Sequence, residues 1–333
     1  MKNKIVFLLL FAVFSFILWQ GIYLQKSFES EGNIFSIEKG ESVFEISKNL
    51  EKQGLITHSF YFNIYVFLTG KQRDLQAGEY LFDSRRSVKE IARKILNGET
   101  MEEKTITIIE GWNIRDIAWY FENQGMFQAE EIMEVVGFPL VENNLQESFV
   151  GFLEDKPLDK NFEGYLFPDT YNIGKDDSVK KIIERVLGNF VLKLDNELRE
   201  EIQRQGKPIF DIVTMASLLE KEVRSYDDKE TVSGILWKRL DSSIPLQVDA
   251  TIIYITGKKT VSREETKIDS LYNTYKYLGL PPGPICNPGL DSIKAAVYPK
   301  ESKYWYYLST LEGETMFSKT LEEHNINKAK YLQ

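Results

Sequence analysis

The chain opens on an apolar run, Ile5 to Leu24, broken only by Ser15, Gln20 and Gly21. Twenty helical residues would reach roughly 30 Å, the thickness of a bilayer's hydrocarbon core. Lys2 and Lys4 precede the run, and Trp19 and Tyr23 stand near its far end as interfacial aromatics do. The rival is a cleaved export signal, with an apolar stretch of about 7–15 residues and small residues at the cut. No Ala-x-Ala follows the run, which favours an uncleaved transmembrane helix over residues 5–24. The lysines then put residues 1–4 in the cytoplasm, the helix in the cell (inner) membrane and the bulk of the chain outside.

Beyond a polar stretch at 26–33 the pattern repeats itself. Residues 37–55 align without a gap on residues 108–126, matching Gly40 with Gly111, Ile46 with Ile117 and Gln53-Gly54 with Gln124-Gly125. Each copy reads as strand, glycine turn and capped helix. Ser42 with Glu45 has the spacing of a capping box, and Asn113 with Asp116 is its near equivalent. Gly54 and Gly125 fall where a helix wants a left-handed C-terminal residue. Residues 77–82 predict a strand, and Ser87 with Glu90 opens a further helix ending at Asn97-Gly98. The first unit, 33–103, is thus β-α-α-β.

The second copy and a connecting region occupy 104–160, helical and acidic to about Asn144. Farther on, the spacing predicts one amphipathic helix over 179–205, a second over 208–224 and a third over 229–239. Leu246 to Thr251 reads as a short extended run, residues 304–319 as a hairpin, and Thr320 with Glu323 as the cap of a terminal helix. The fold class is α+β: an N-terminal transmembrane helix, the small β-α-α-β subdomain, and a mixed α+β domain over 161–333.

Composition removes several functions. With 50 acidic and 41 basic side chains the formal charge is −9, which argues against nucleic acid as a partner. Cys286 is the single cysteine, and His58 and His324 are the two histidines. No multi-thiolate or His-rich metal site can be built from them. No glycine-rich phosphate loop occurs either. A chemistry without metal or cofactor remains, or a binding protein.

Acidic candidates lie on the helix over 211–224. Ile212, Met215, Ala216, Leu219 and Val223 form its apolar stripe, and Glu220 and Glu222 fall on opposite margins, about 160° apart. They cannot converge as a pair. A carboxyl at such a margin, covered by a loop, would hold its proton more tightly, as a general acid requires. The plain alternative is a solvated face with Glu220 paired to Arg224. Gln247 and Asp249 share one face of their extended run. Tyr272, Asn273 and Tyr275, with the rigid loops Gly279-Leu-Pro-Pro-Gly283 and Asn287-Pro-Gly289, add an amide and aromatic faces of the kind saccharide clefts use. Each segment alone reads more readily as core and turns.

Residues 33–103 resemble a LysM domain, a small module that binds N-acetylglucosamine-containing glycans or serves as scaffold. Glu163-Gly-Tyr-Leu-Phe-Pro-Asp-Thr-Tyr171, Met215-Ala-Ser-Leu-Leu-Glu-Lys-Glu222, Leu246-Gln-Val-Asp249, Tyr272-Asn-Thr-Tyr275 with residues 279–283, and Asn287-Pro-Gly-Leu-Asp-Ser292 follow one another as in the YceG-like endolytic murein transglycosylases. The resemblance covers nearly the whole chain. It implies a membrane-anchored lyase that cuts peptidoglycan strands between N-acetylmuramic acid and N-acetylglucosamine. A 1,6-anhydro end would be left and elongation ended. It implies Glu220 as the catalytic residue, and Gln247, Asp249, Tyr272, Asn273, Tyr275 and Glu222 as substrate contacts. Expected partners are lipid-linked nascent strands and peptidoglycan synthases. His324 fits the family pattern, whereas Thr315 stands where relatives often carry histidine. Two alternatives stay open: a non-catalytic glycan-binding scaffold, and a hydrolase using Glu220 with Asp249.

Overall fold

The computed structural model describes residues 2–24, 33–82, 86–98, 100, 103–137, 155–174, 177–310 and 312–332. Most of the expected tether at 26–33, and the acidic and loop segment 138–154, lie outside the described residues. The chain divides into two compact units, Met1–Lys104 with Ile173–Asp176, and Thr105–Asn172 with Asp177–Gln333.

The first unit begins with helix α1 (Lys2–Tyr23). Among the described residues no helix is long and apolar enough to cross a membrane, so the transmembrane reading rests on the sequence run alone. Strand β1 (Asn33–Ile37), helices α2 (Val43–Lys52) and α3 (Ser59–Leu68), strand β2 (Gly78–Phe82) and helix α4 (Val88–Leu96) follow. β1 and β2 pair antiparallel, Asn33 opposite Phe82 and Ile37 opposite Gly78. Ser42 and Ser87 both cap their helices in reciprocal boxes with Glu45 and Glu90. Phe35, Leu50, Phe62, Val66, Tyr80 and Ile91 are completely buried between the two strands and the helices.

Strand β3 (Glu103–Thr107), which enters the second unit at Thr105, leads through the turn at Gly111 to helix α5 (Ile114–Asn123) and then α6 (Ala129–Val135). The repeat is visible in the backbone: Gly40 and Gly111 have φ of 98° and 80°, Gly54 and Gly125 of 74° and 66°. Asn113 and Asp116 close the second capping box. Strand β4 (Thr170–Gly174) pairs with β3. The long helix expected over 179–205 is two helices, α7 (Val179–Lys193) and α8 (Asn196–Gln205). The break falls where the Asp195 side chain accepts from the Leu198 amide and so caps a new helix.

Helix α9 (Ile209–Glu222) is the centre of this unit, buried without interruption from Ile212 to Leu219. The expected one-sided stripe is therefore too narrow a description, because neighbours cover every face. They are α8, α10 (Tyr226–Asp241), α11 (Asp249–Thr256) and α12 (Leu290–Val297). The polar side chains in this core are satisfied locally: Thr214 donates to the Phe210 carbonyl at 2.7 Å and Ser217 accepts from the Ile285 amide at 3.0 Å. The hairpin is strands β5 (Tyr306–Ser309) and β6 (Thr315–Ser318), Tyr306 opposite Ser318, followed by α13 (Leu321–Tyr331).

The extended run expected at 246–251 is corrected. Gln247 has φ of 55°, a left-handed backbone that non-glycine residues seldom adopt, and Asp249 is already the first residue of α11. Gln247 and Asp249 therefore do not share a strand face. Hydrogen bonds from the Gln247 amide to the Thr274 carbonyl (3.1 Å) and from the Val248 amide to Thr274 Oγ1 (3.0 Å) hold the bend.

Candidate active site

The last turn of α9 carries Glu220, Lys221 and Glu222, and the helix stops there because Val223 is extended (φ −142°). The two glutamates point into different surroundings, as their angular separation requires.

One carboxylate oxygen of Glu220 is tied into the fold. Its Oε2 accepts from the Gly289 amide at 3.0 Å and from Ser292 Oγ at 2.6 Å, and pairs with Lys229 Nζ at 3.3 Å. Gly289 is the N-cap residue of α12 and has no side chain with which to cap it. Glu220 supplies the missing acceptor from a neighbouring helix, at the end where a helix favours negative charge. The ion pair is sheltered, with side-chain exposures of 6% for Lys229 and 9% for Glu220.

Glu222 faces two cavities that meet at it. One, of about 410 Å³, has a wall from α5 (Asn113, Arg115, Asp116, Trp119) and an opposite side from α11, including Tyr254. The other, of about 540 Å³, is lined by Gln247, Tyr275, Arg239, Tyr306 and His324 among others. The residues common to both are Lys221, Glu222 and Asp249. Burial pushes the Glu222 carboxyl up to about 7, with the Asp249 charge adding to the rise. Hydrogen bonds from the Tyr307 hydroxyl and the Ala250 amide pull the other way. Near neutral pH this group is poised both to give and to take a proton.

The remaining expected contacts separate in the same manner. Gln247, Asp249 and Tyr275 line the second cavity, and the Tyr275 hydroxyl donates to Asp249 Oδ1. Asn273 and Tyr272 are not among the lining residues of either cavity. Asn273 is fully buried; its Nδ2 donates to the carbonyls of Thr266 (3.0 Å) and Ile268 (2.7 Å), and its Oδ1 accepts from the Tyr275 amide (3.0 Å). That side chain braces a loop and has no free group for a sugar. Tyr272 packs its ring on Tyr254 at 5.1 Å, and burial raises its hydroxyl to about 12. A third cavity of about 590 Å³, between α10 and residues 299–303, contains none of the expected residues. Among the described residues no group of three metal-ligating side chains converges.

The YceG-like family model matches residues 35–330. The chain belongs to the YceG-like family. It is 31% identical over 315 residues to the endolytic murein transglycosylase of Bacillus subtilis (strain 168), covering 93% of this chain and 87% of that one. The endolytic murein transglycosylase of Streptococcus pneumoniae (strain D39) is 29% identical over 322 residues, 89% of this chain; the match spans 58% of that longer protein. A yceG-like protein of Listeria monocytogenes of known crystal structure superposes with a TM-score of 0.61 at 31% identity, over 89% of this chain and 98% of that one.

Within this YceG-like chain the two glutamates of α9 stand in different surroundings. Glu220, the expected acid, engages Lys229, the Gly289 amide and Ser292 through one carboxylate oxygen, Oε2, and is not among the residues lining these two cavities. Glu222, expected only to touch substrate, has the sheltered carboxyl at the meeting point. Thr315 donates to Asp228 Oδ2 at 3.0 Å, tying β6 to the first turn of α10.

Sequence reasoning also missed a buried hub behind the first cavity. Glu163 accepts from the Ile114 amide through both oxygens (3.1 and 3.2 Å), from Tyr254 Oη (3.3 Å) and from Asn287 Nδ2 (3.3 Å). Burial pushes its carboxyl up to about 8. Asn287 in turn donates to the Trp112 carbonyl at 2.9 Å and accepts from the Leu166 amide at 2.8 Å. Two of the sequence motifs thus meet at the start of α5 and fix the cavity wall that follows. Arg239 plays a comparable part in the second cavity, donating to the carbonyls of Trp305 (3.0 Å) and Leu246 (2.8 Å).

Proposed function

We propose that this chain cleaves peptidoglycan glycan strands internally, as an endolytic murein transglycosylase, with Glu222 as the proton-transfer residue. The observation that carries the reading is the pair of cavities meeting at a single sheltered carboxyl. An enzyme that cuts within a polymer must hold sugars on both sides of the bond, and its acid must stand where the two sides join. The naming of the curated relatives as endolytic murein transglycosylases supports the same substrate class.

Protonated Glu222 donates to the glycosidic oxygen as the bond to C1 of the muramic sugar breaks. The resulting carboxylate then takes the proton of that sugar's C6 hydroxyl while O6 closes on C1. A 1,6-anhydro end forms, the acid is regenerated and no water is consumed. One carboxyl can serve both half-reactions because the nucleophile belongs to the substrate. Asp249, adjoining the same cavities, gives a hydrolytic route with water its specific observation. Mass spectrometry of a peptidoglycan digest separates the two: fragments lighter by one water are expected, and hydrated fragments would sink the transglycosylase reading. No cutting at all by the full chain would favour a glycan-binding scaffold.

The apolar run at 5–24, its two preceding lysines and Trp19 and Tyr23 support a single-pass membrane anchor with the N-terminus in the cytoplasm. Anchoring would raise the local concentration of lipid-linked nascent strands and make strand termination the natural outcome, close to the synthases that make them. The β-α-α-β-type unit would then act as a LysM-like glycan contact. N-terminal sequencing of the membrane fraction tests the anchor: a mature chain lacking residues 1–24 would refute it.

A further inference from the structure

Helix α3 is apolar on two opposite faces. Phe62 and Val66 are fully buried in the first unit's core, while Phe60, Phe67 and Leu68 are 52%, 72% and 75% exposed. At about 100° per residue, Phe60, Ile64, Phe67 and Leu68 fall within one stripe roughly 100° wide, turned away from that core. The helix sequence, SFYFNIYVFL, contains no charged residue. A helix apolar on all sides belongs in a core or against lipid.

The position of α1 indicates which. Gly21 lies so close to α3 that a Cβ there would come within 2.3 Å of the Tyr61 ring, so its glycine permits direct contact. Ile22 is 5% exposed, and Lys89 Nζ of α4 stands 5.0 Å above the Tyr23 ring. The end of α1 is thus seated on α3 and α4, whereas upstream Val6, Phe7, Leu10, Phe11 and Phe14 are more than half exposed. Whatever covers those side chains extends up to α3. Just beyond α3, Lys71 and Arg73 are exposed, placed for anionic head groups.

We propose that the exposed stripe of α3 lies in the interfacial layer of a phospholipid bilayer, the same bilayer that α1 enters. This rests on the membrane-anchor reading of α1. The first unit is then held at two points, by a spanning helix and by an interfacial one. Its orientation on the membrane is fixed as a free tether could not fix it.

The test uses the full chain in vesicles of mixed zwitterionic and anionic phospholipid. An environment-sensitive fluorophore is attached at Phe67→Cys or, separately, at Ile17→Cys, and brominated lipids act as quenchers; Cys286 is buried and does not compete. Position 17 should be quenched best by deeply brominated chains, and position 67 at least twofold better by bromines near the head group. Quenching at 17 without quenching at 67 overturns the docking and leaves the anchor standing. Loss at both sites removes the anchor, and the docking with it. Adding Phe60→Ser and Leu68→Ser should reduce quenching at 67 at least twofold. Unchanged quenching there means the label inserts by itself, which also overturns the proposal. So does quenching that disappears on tenfold protein dilution at constant lipid, since a second copy would then be the occupant.

Discussion

Glu220 and Glu222 are separated by one lysine and about 160° of helix, and that rotation gives the two carboxyls different surroundings. Glu220→Ala leaves Lys229 buried without its partner and the first turn of α12 uncapped. Breaking a buried pair in this way costs about 3–5 kcal/mol, expected as a fall in Tm of roughly 6–20 °C in a thermal melt. Glu222→Gln keeps the shape and the Tyr307 and Ala250 contacts. It should melt close to the parent while strand cutting drops by about 10²–10⁴-fold in a peptidoglycan digest. A Glu222→Gln enzyme cutting at the parental rate would end the assignment. Asp249→Asn removes a charge that raises the Glu222 pKa. The alkaline limb of the pH–rate profile, set by loss of the Glu222 proton near 7, should therefore move to lower pH. Burial is the larger cause of the elevation, so part of it should persist.

At the scale of elements, the cleft is made by pieces that the sequence presents as unrelated. The start of α5 is fastened by Glu163, 49 residues from Ile114, and by Asn287, 175 residues from Trp112. Trp119, one turn farther along α5, is 55% exposed in the wall of the first cavity. An aromatic face there suits the C–H surface of a sugar ring. Trp119→Ala should raise KM about 2–12-fold with little change in kcat, measured on soluble glycan strands. A fall in kcat with KM unchanged would mean that the ring does not hold the ground-state sugar. Strand, turn and capped helix of the repeat were legible in advance because capping boxes and glycine turns are local. The division of 179–205 into α7 and α8 was not, because the amphipathic period runs through Asp195 and only the observed cap bond shows the stop. The helical start at Asp249 was hidden similarly, since Gln247 adopts a left-handed backbone without being glycine.

For the whole molecule, proton linkage gives a signed expectation. Glu163 has its folded-state pKa raised to about 8 and Glu222 to about 7, from 4.5. The folded state therefore binds these protons more tightly than the unfolded chain. The stability they contribute is full below about 4.5 and is lost as pH rises through the folded values. His324, lowered by burial to about 4 from 6.5, acts in the opposite sense only below about 6.5. Lys156, lowered by burial to about 8 from 10.5, opposes it only above about 8. Between pH 6.5 and 8 the carboxyls dominate, and stability should fall by up to about 1.4 kcal/mol per pH unit for each proton released. Denaturant melts across that range check the slope, and Glu163→Gln should flatten it. Stability rising over this interval would contradict the buried state of both carboxyls.

The sequence alone determined what depends on neighbours along the chain: the apolar run, the repeated strand-turn-helix, the caps at Ser42, Ser87 and Thr320, the hairpin near 304–319, and the ordered motifs that place the chain in its family. It also placed two candidate acids in one turn of α9. Which glutamate faces the cleft was decided only in three dimensions, because that depends on what packs against each side of the helix. Lys229, nine residues on, and the start of α12, 69 residues on, hold Glu220 Oε2; Ala250 and Tyr307 adjoin Glu222. Asn273 illustrates the same limit, since a buried amide and a sugar-binding amide are spelled identically until their hydrogen-bond partners are known.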